Sequence, residues 1–324
     1  MTIIDRNYQK EQDYDKVLSF LRREYKEDPH FPGWKAQRFE DMEYRLNTMY
    51  ICMGGAPWHQ CVHLWEEDGA MVGLCVGERK GENFFYVKKM YEFLYPQMVE
   101  WTKTNMCVDK NGKREHTFWI CDAQRELIDI LQSQQFERAD CDVHLMEHTM
   151  EDLPEPALPE GFKLVYGTEI KDIVLKTNVS HWGFNPDQEG IQNTACTEAN
   201  KNRAKAPMFD EQFEVMVQAP DGELCSYACL WVDSDTKSAF VEPVSTREKY
   251  RKCGLGKAML LAALRRCKEN GVTRAYVEPF DVWRETFYAS TGFKTYGKMG
   301  IWTLSEQYRD YLSGNYKDNG QRQM

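Results

Sequence analysis

A glycine turn with three basic side chains is the part of this chain best suited to bind an anion. It spans Arg251 to Ala258, holds two glycines one residue apart, and precedes a helix-like run at 258–269. Glycine permits a tight turn and a close approach of the backbone to a ligand. The helix directs unpaired N–H groups and its positive dipole end into the turn. With Arg251, Lys252 and Lys257, these groups predict a site for a phosphate or a pyrophosphate.

The glycine spacing excludes three common nucleotide-binding loops. A P-loop has four residues between its glycines and Ser or Thr after the lysine, whereas here one residue separates them and Ala258 follows Lys257. The dinucleotide fingerprint needs a third glycine where Met259 stands. The kinase glycine loop fails for the same reason, and the other kinase motifs are absent.

The motifs around the turn resemble those of the GNAT acyltransferase family, which binds acetyl-CoA. The family pattern Arg/Gln-x-x-Gly-x-Gly/Ala after a strand fits Arg251 to Gly256. Gly271 then supplies a helix stop, and a strand-like run follows at 273–278. The segment at 287–293, Phe-Tyr-Ala-Ser-Thr-Gly-Phe, resembles the closing Leu-Tyr-x-x-x-Gly-Phe of the family. The resemblance is most specific over residues 213–302.

The resemblance implies a cofactor site at the turn, where backbone N–H groups of the family hold the CoA pyrophosphate. Tyr288 matches the family tyrosine near the CoA sulfur, where a phenol can protonate the departing thiolate. Glu242 lies where some members have a carboxylate that acts as a base through water. The oxyanion donor is the N–H of Val244 or Ser245, because Pro243 has none. The implied acetyl-CoA residues are Val244, Ser245, Thr246, Arg251, Lys252, Cys253, Gly254, Leu255, Gly256, Lys257, Ala258, Asp281 and Tyr288.

The chain departs from the family after the second strand of this region. Where the family often shows Asn-x-x-Ala-x-x-Leu-Tyr, Asp281, Arg284 and Phe287 take the Asn, Ala and Leu positions. The usual Asn contacts the cofactor, and Asp281 can still accept a hydrogen bond but is a poorer neighbour for phosphate. Arg284 can contact phosphate or restrict the channel.

The resemblance places the acceptor site near His181-Trp-Gly-Phe184, residues 194–203 and Trp302. Trp182, Phe184 and Trp231 are candidates for an aromatic wall facing a cation, and core packing is the commoner alternative. His181 is a candidate base that ranks below Glu242.

Composition indicates packed globular domains. The chain has 324 residues, which favours two domains, with 42% hydrophobic and 13% aromatic residues. The sequence has no membrane-length apolar run and no signal-peptide shape, and its 11 cysteines form no framework, so we expect reduced thiols in the cytoplasm. The net charge of −10 disfavours nonspecific nucleic-acid binding and is compatible with a cationic amine substrate. Cys52, His59, Cys61 and His63 match no zinc spacing, so we predict no metal.

Two halves meet at a proline-rich linker. Residues 151–161 contain three prolines, which separate a first domain at 1–150 from a second at 162–324 that ends in a polar tail expected to fray. The second half has the GNAT order of elements. The first half has a similar order, but its strand at 83–87 leads into a helix-like stretch without a glycine turn. We predict a mixed α/β fold of two tandem GNAT-like domains, each a mostly antiparallel sheet flanked by helices, with the second competent for acetyl-CoA. An unrelated α+β first domain is the alternative.

These features predict an acetyl-CoA-dependent N-acetyltransferase that transfers an acetyl group directly to a primary amine of a small molecule in a ternary complex. Two alternatives stay open: a non-catalytic acyl-CoA-binding module, and transfer of another acyl group or to a protein amine. Aminoglycosides, polyamines, amino acids, small thiol-conjugate amines and protein N-termini remain possible acceptors. We expect no nucleic-acid or membrane partner, and the sequence leaves the oligomeric state open.

Overall fold

The structure is a computed structural model that describes residues 2–110 and 113–304, without the side chains of residues 110, 113 and 114. The polar tail predicted to fray lies outside these ranges. Within them, no helix combines the length and the apolar character needed to cross a membrane.

The first half contains eight strands and five α-helices within the described residues. Its strands are β1 (Ile3–Asn7), β2 (Val62–Glu67), β3 (Ala70–Val76), β4 (Glu82–Val87), β5 (Val108–Lys110), β6 (Lys113–Glu115), β7 (Thr117–Cys121) and β8 (Glu137–His148). Its helices are α1 (Lys10–Glu27), α2 (Ala36–Asp41), α3 (Asn47–Cys52), α4 (Tyr95–Asn105) and α5 (Arg125–Ser133). A π-helical segment, Met42–Leu46, joins α2 to α3, and we call the whole run from residue 36 to residue 52 the α2–α3 helix.

The second half repeats this order of elements. Its strands are β9 (Lys163–Tyr166), β10 (Glu214–Gln218), β11 (Leu224–Asp233), β12 (Ser238–Thr246), β13 (Arg274–Val277) and β14 (Lys294–Thr303). Its helices are α6 (Ile173–Phe184), α7 (Thr194–Arg203), α8 (Leu255–Glu269) and α9 (Val282–Ser290). Each of these elements has a counterpart in the first half, and the β5–β6 hairpin of the first half has none in the second. The repeat confirms the predicted mixed α/β fold with helices flanking the sheet.

Both halves contribute to one continuous sheet of twelve strands. Its order is β1-β2-β3-β4-β7-β14-β8-β13-β12-β11-β10-β9. Each half keeps its first five strands of this sheet and receives the sixth from the other half, because β14 pairs with β7 whereas β8 pairs with β13. The two exchanged strands also pair with each other, antiparallel, at the middle of the sheet. The sequence predicted a sheet in each half, and the exchange of last strands merges the two.

An aspartate fixes the start of α6. The helix begins at Ile173 because the side chain of Asp172 accepts hydrogen bonds from the N–H groups of Val174 and Leu175. An aspartate in this capping position satisfies N–H groups that the first helical turn leaves free. The predicted linker has no regular secondary structure. It lies beside α8, where the side chain of Arg265 donates to the carbonyl of Leu153.

The α2–α3 helix of the first half packs on the second half. One apolar cluster contains Phe39 and Met42 from this helix together with Trp231 from β11. Polar contacts secure the position: Gln37 Nε2 donates to the carbonyl of Ser238 at 2.9 Å, and Asn202 Nδ2 donates to the carbonyl of Tyr44 at 2.7 Å. The helix is therefore held against β12 and α7.

Because each half is completed by a strand of the other, we expect the halves to stay together after the linker is cut. A protease site placed between residues 154 and 159 and then cleaved should leave one particle in size-exclusion chromatography. The fragments should separate in denaturant. Separate peaks in native buffer would contradict the exchange of β8 and β14, and the uncut chain with the same insertion is the control.

Candidate active site

An opening in the sheet lies between β12 and β13. These parallel strands pair only at their starts, from Ser238 opposite Arg274 to Phe240 opposite Tyr276. On its other side, β12 has two residues, Glu242 and Pro243, in the interval where β11 has one. Such a bulge bends the strand that carries the extra residue. The bulge therefore places Glu242 where β12 turns away from β13.

The edge of β12 that faces the opening presents backbone donors. The N–H of Arg247 donates to the carbonyl of Cys225 at 2.9 Å, towards β11. Residues 244–246 keep a regular antiparallel register with β11. Because N–H groups point to alternate sides along a strand, those of Val244 and Thr246 point away from β11, into the opening. This favours Val244 over Ser245 as the oxyanion donor of the two candidates.

The predicted phosphate turn has the conformation that its glycine requires. Gly254 has φ = 80°, in the left-handed region, and stands at the N-cap of α8 without a side chain to satisfy the helix. The N–H groups of Leu255, Gly256 and Lys257 belong to the first turn, which has no intrahelical acceptors for them. A Cβ built on Gly254 meets no atom within 4 Å, so the space in front of the turn is open. This open, uncapped helix start fits an anionic group.

The basic residues of the turn have different roles. The guanidinium of Arg251 donates to the carbonyls of Thr246 (3.1 Å) and Gly183 (2.8 Å), so it ties the turn to β12 and α6. These contacts give Arg251 a positioning role, and its predicted contact with phosphate stays a prediction. Lys257, at the helix start, is exposed to solvent.

A cavity of about 670 Å³ occupies the opening and is lined by both halves. The residues from the second half include Val244, Ser245, Thr246, Arg251 and Tyr288. The residues from the first half are Arg38, Asp41, Met42, Leu46, Tyr50, Glu78, Glu82, Phe84, Trp119 and, on the exchanged strand β8, Val143. The sequence did not predict the contribution of the first half. The spacing of Asp41 and Arg45 on one helix was visible, but such ion-pair spacing is common on solvated helices.

The two predicted catalytic side chains, Glu242 and Tyr288, line this cavity together. The side chain of Glu242 is 45% exposed, and it faces the cavity, where Arg45 Nη2 lies 3.5 Å from its Oε1. Although this side chain is partly exposed within the cavity, the protein around it displaces bulk water and raises the pKa of Glu242 to about 7; Asp41 also raises this pKa, while Arg45 lowers it. Burial, and then the nearby Glu242, raise the pKa of Tyr288. Near neutral pH the phenol is therefore protonated and the carboxyl group is present in both forms.

A second cavity, of about 300 Å³, meets the first at Glu242. The predicted acceptor segments at 181–184 and 194–203 contribute to its wall through His181, Phe184, Cys196, Ala199, Asn200 and Arg203. The ring nitrogens of His181 are within hydrogen-bonding distance of the side chains of Gln188 (2.9 Å) and Asn185 (3.2 Å). The protein itself thus holds this ring, which favours Glu242 as the base.

The predicted aromatic wall does not form. Phe184 lines both cavities, but Trp231 is fully buried beneath the α2–α3 helix and donates to the carbonyl of Glu242 at 3.1 Å. Trp182 donates to the carbonyl of Ile191 and lies against the guanidinium of Arg247.

Two further predicted residues, Trp302 and Asp281, are used for packing and capping. Trp302, on the exchanged strand β14, packs in the core of the first half. The carboxylate of Asp281 caps α9 by accepting from the N–H of Arg284 at 2.8 Å, and it also pairs with the Arg284 guanidinium. Arg284 lines the cavity, and its two predicted roles, contact with phosphate or restriction of the channel, stay predictions. A contact of Asp281 with a cofactor stays a prediction.

The corresponding place in the first half is closed. There β4 and β7 pair over two residues, and Gln124 then bridges the strands: its Oε1 accepts from the N–H of Cys121 (3.1 Å) and its Nε2 donates to the carbonyl of Phe85 (2.9 Å). Phe85 is fully buried. After β4 the chain enters a 3₁₀ segment, Lys89–Leu94, without a glycine turn. Among the described residues, no group of three or more His, Cys, Asp or Glu side chains is arranged to hold a metal ion.

Comparison with known proteins agrees with this geometry. Residues 181–293 match the model of the acetyltransferase (GNAT) family, and this stretch includes β12, the turn, α8 and Tyr288. No curated protein sequence matches the chain.

Several solved structures share the fold over both halves. A GCN5-related N-acetyltransferase from Sphaerobacter thermophilus has a TM-score of 0.62 at 13% identity, covering 93% of this chain and 94% of that one. A tandem GNAT protein from the clavulanic acid biosynthesis pathway has a TM-score of 0.59 at 13% identity, with 93% and 97% covered. A GNAT-family acetyltransferase from Colwellia psychrerythraea has a TM-score of 0.56 at 12% identity, with 93% and 99% covered.

The family model covers the open turn and most cavity residues of the second half, and the likeness of fold extends over nearly the whole chain. The match of residues 181–293 supports acyl-CoA-dependent acyl transfer in general. This chain therefore contains a stretch that matches the acetyltransferase (GNAT) family within a fold that it shares with GNAT proteins over both halves.

Proposed function

We propose that this protein is an acetyl-CoA-dependent N-acetyltransferase that transfers the acetyl group directly to a primary amine of a small molecule. The observation that carries the proposal is one cavity that brings together the N–H edge of β12, the phenol of Tyr288 and the carboxyl group of Glu242. Direct transfer needs those three groups: an oxyanion donor, an acid and a base. It also needs both substrates bound at once, and a cavity between the two halves suits a ternary complex.

Acetyl-CoA, as a substrate, fits the open side of this cavity. The uncapped start of α8 and the exposed Lys257 suit its pyrophosphate, and the opening between β12 and β13 suits the arm that carries the thioester. The closed counterpart in the first half, bridged by Gln124, supports a single acetyl-CoA site per chain.

Each catalytic group has a defined part in the transfer. Glu242 accepts a proton from the ammonium group, directly or through water, so that the amine nitrogen can attack the thioester carbon. The N–H of Val244 donates to the oxyanion that forms on the carbonyl oxygen. The attacking nitrogen loses its surplus proton to solvent as the carbon–sulfur bond breaks. Tyr288 gives its proton to the thiolate and regains one from solvent. A carboxyl group with a pKa of about 7 suits the base, which favours an enzyme over the alternative of a non-catalytic acyl-CoA-binding module.

Reversal of the charge at the helix start should weaken cofactor binding. We expect Lys257→Glu to raise the dissociation constant for CoA about tenfold at low salt, because it places an anion next to the bound phosphates. Calorimetry on the full chain measures this constant. The exposed Lys205 lies just past α7, so Lys205→Glu is the matched charge reversal. An equal effect of both variants would contradict a pyrophosphate site at the turn.

Removal of the carboxyl group of Glu242 should abolish the rise of kcat/KM with pH. In the native protein, kcat/KM should rise with pH through about 7, as the carboxyl group of Glu242 ionises. Glu242→Gln should lower kcat by about 10²- to 10⁴-fold and remove that rise. Steady-state CoA release measured from pH 5.5 to about 9 tests this. Glu198→Gln, an exposed change on α7, should leave the profile intact.

The pH dependence of the stability of Glu242→Gln distinguishes a catalytic role of Glu242 from a structural one. The folded-state pKa of Glu242 is raised, so the folded protein holds this proton more tightly than the unfolded chain does between about pH 4.5 and 7. The free energy of unfolding should fall across that window in the native protein, and the fall should be smaller in Glu242→Gln. A variant that unfolds more readily than the native protein at pH 8 would point to a structural role.

Loss of the phenol should affect rate rather than binding. We expect Tyr288→Phe to lower kcat by about 10²-fold with an unchanged dissociation constant for CoA, because it removes a proton donor from a buried site and keeps the ring. Tyr91, whose hydroxyl donates to Glu67 far from the cavity, provides the control Tyr91→Phe. A parallel loss of CoA affinity in Tyr288→Phe would contradict the acid role.

A further inference from the structure

The part of the cavity around the α2–α3 helix and β4 is acidic. Five carboxylates line the cavity, and three guanidinium groups pair with them. The carboxylates are Asp41, Glu78, Glu82, Glu242 and Glu278, and the guanidinium groups are those of Arg38, Arg45 and Arg79. The other two lining cations are already engaged, because Arg251 binds backbone carbonyls and Arg284 pairs with Asp281.

The guanidinium groups are shared unevenly among these carboxylates. Arg45 pairs with Asp41 and reaches Glu242, while Arg38 divides its contacts between Glu78 and Glu278.

Glu82 is a nearly buried carboxylate whose ion-pair partner extends into solvent. Its side chain is 12% exposed, and its cation is the half-exposed Arg79 at 3.0 Å. Burial, and then the charge of Glu78, raise the pKa of Glu82 to about 7. An ionised carboxylate in such a place is costly unless a further cation joins it. Glu78 and Glu82 therefore form an acidic pair with room for a positive charge.

The other first-half residues of the wall are mostly apolar. Met42, Leu46, Phe84 and Trp119 line the same cavity, together with the ring of Tyr50. Such a lining suits a hydrocarbon chain. The second cavity is less suitable for a cation, because the charged groups that line it beside Glu242 are Arg45 and Arg203.

We infer that the acceptor is an aliphatic amine with a second cationic group, which binds at Glu78 and Glu82 while the reacting amine lies at Glu242. This rests on the proposed N-acetyltransferase function. The first half then selects the acceptor, whereas the second half binds acetyl-CoA and carries out the transfer. Glu78 and Glu82 are specificity-determining residues in this scheme and take no part in proton transfer.

Matched amines test the inference on the full chain. Diaminobutane and diaminohexane are compared with butylamine and hexylamine in a CoA-release assay with acetyl-CoA. We expect kcat/KM at least about tenfold higher for each diamine, since a charge-assisted contact of about 1.5–3 kcal/mol corresponds to roughly ten- to a hundredfold. Glu82→Gln and Glu78→Gln should reduce this preference towards one, because they should lower kcat/KM for the diamines much more than for the monoamines. Glu100→Gln, an exposed change on α4, is the control.

The outcomes distinguish this inference from the function on which it rests. If monoamines and diamines react equally, or if Glu82→Gln lowers both alike, the second-cation site is wrong and the N-acetyltransferase stands. If no amine releases CoA, the proposed function fails for these acceptors. Calorimetric binding of diaminohexane and hexylamine in the presence of CoA then decides the inference without turnover. Tighter binding of the diamine that Glu82→Gln abolishes supports it, and equal or undetectable binding overturns it.

Discussion

The antiparallel pairing of β8 with β14 fixes the two halves relative to each other. Each strand follows the last helix of its own half, yet it pairs with the fifth strand of the other half. Two domains joined only by a linker are expected to move relative to each other. Here backbone hydrogen bonds cross the boundary, so the α2–α3 helix is held over the opening between β12 and β13. The cavity between the halves depends on this pairing, because its walls come from both sides.

The first half lacks the opening that the second half has, and it forms part of the wall of the shared cavity instead. Gln124 closes the space between β4 and β7, and the buried ring of Phe85 adds to the core beside it. The first half has no glycine turn after β4, which agrees with the closed place between β4 and β7. The first half contributes to the shared cavity Glu78, which precedes β4, Glu82 at the start of β4, and one face of the α2–α3 helix. The first half thus shapes the cavity although its own sheet is closed.

Local features were predictable from the sequence, and contacts between the halves were not. The turn at Gly254, the absence of a turn after β4 and the placing of Tyr288 beside the cofactor opening follow from short motifs with a physical reason. The sequence around Trp231 indicates a strand but does not show what covers its two faces. Trp231 is buried because the α2–α3 helix packs on its face of β11. The exchange of β8 and β14 was invisible, because the alternating pattern of a strand is the same whichever neighbour it pairs with. The charge of Arg251 suggested phosphate, and only the fold shows that its guanidinium also donates to the carbonyls of Gly183 and Thr246.

The proposed reaction brings an anionic cofactor and a cationic amine into one cavity, and the two halves separate these charges. The cations and free N–H groups suited to phosphate lie on the turn and α8 of the second half. Most of the carboxylates suited to the amine lie on the first half. Glu242 stands where both cavities meet, close to Arg45 of the first half but on a strand of the second. Its pKa of about 7 reflects that position: burial and nearby carboxylates raise the pKa, and Arg45 limits the rise. A cationic acceptor would favour the ionised form of Glu242 when it binds, so the arrival of the substrate would itself prepare the base.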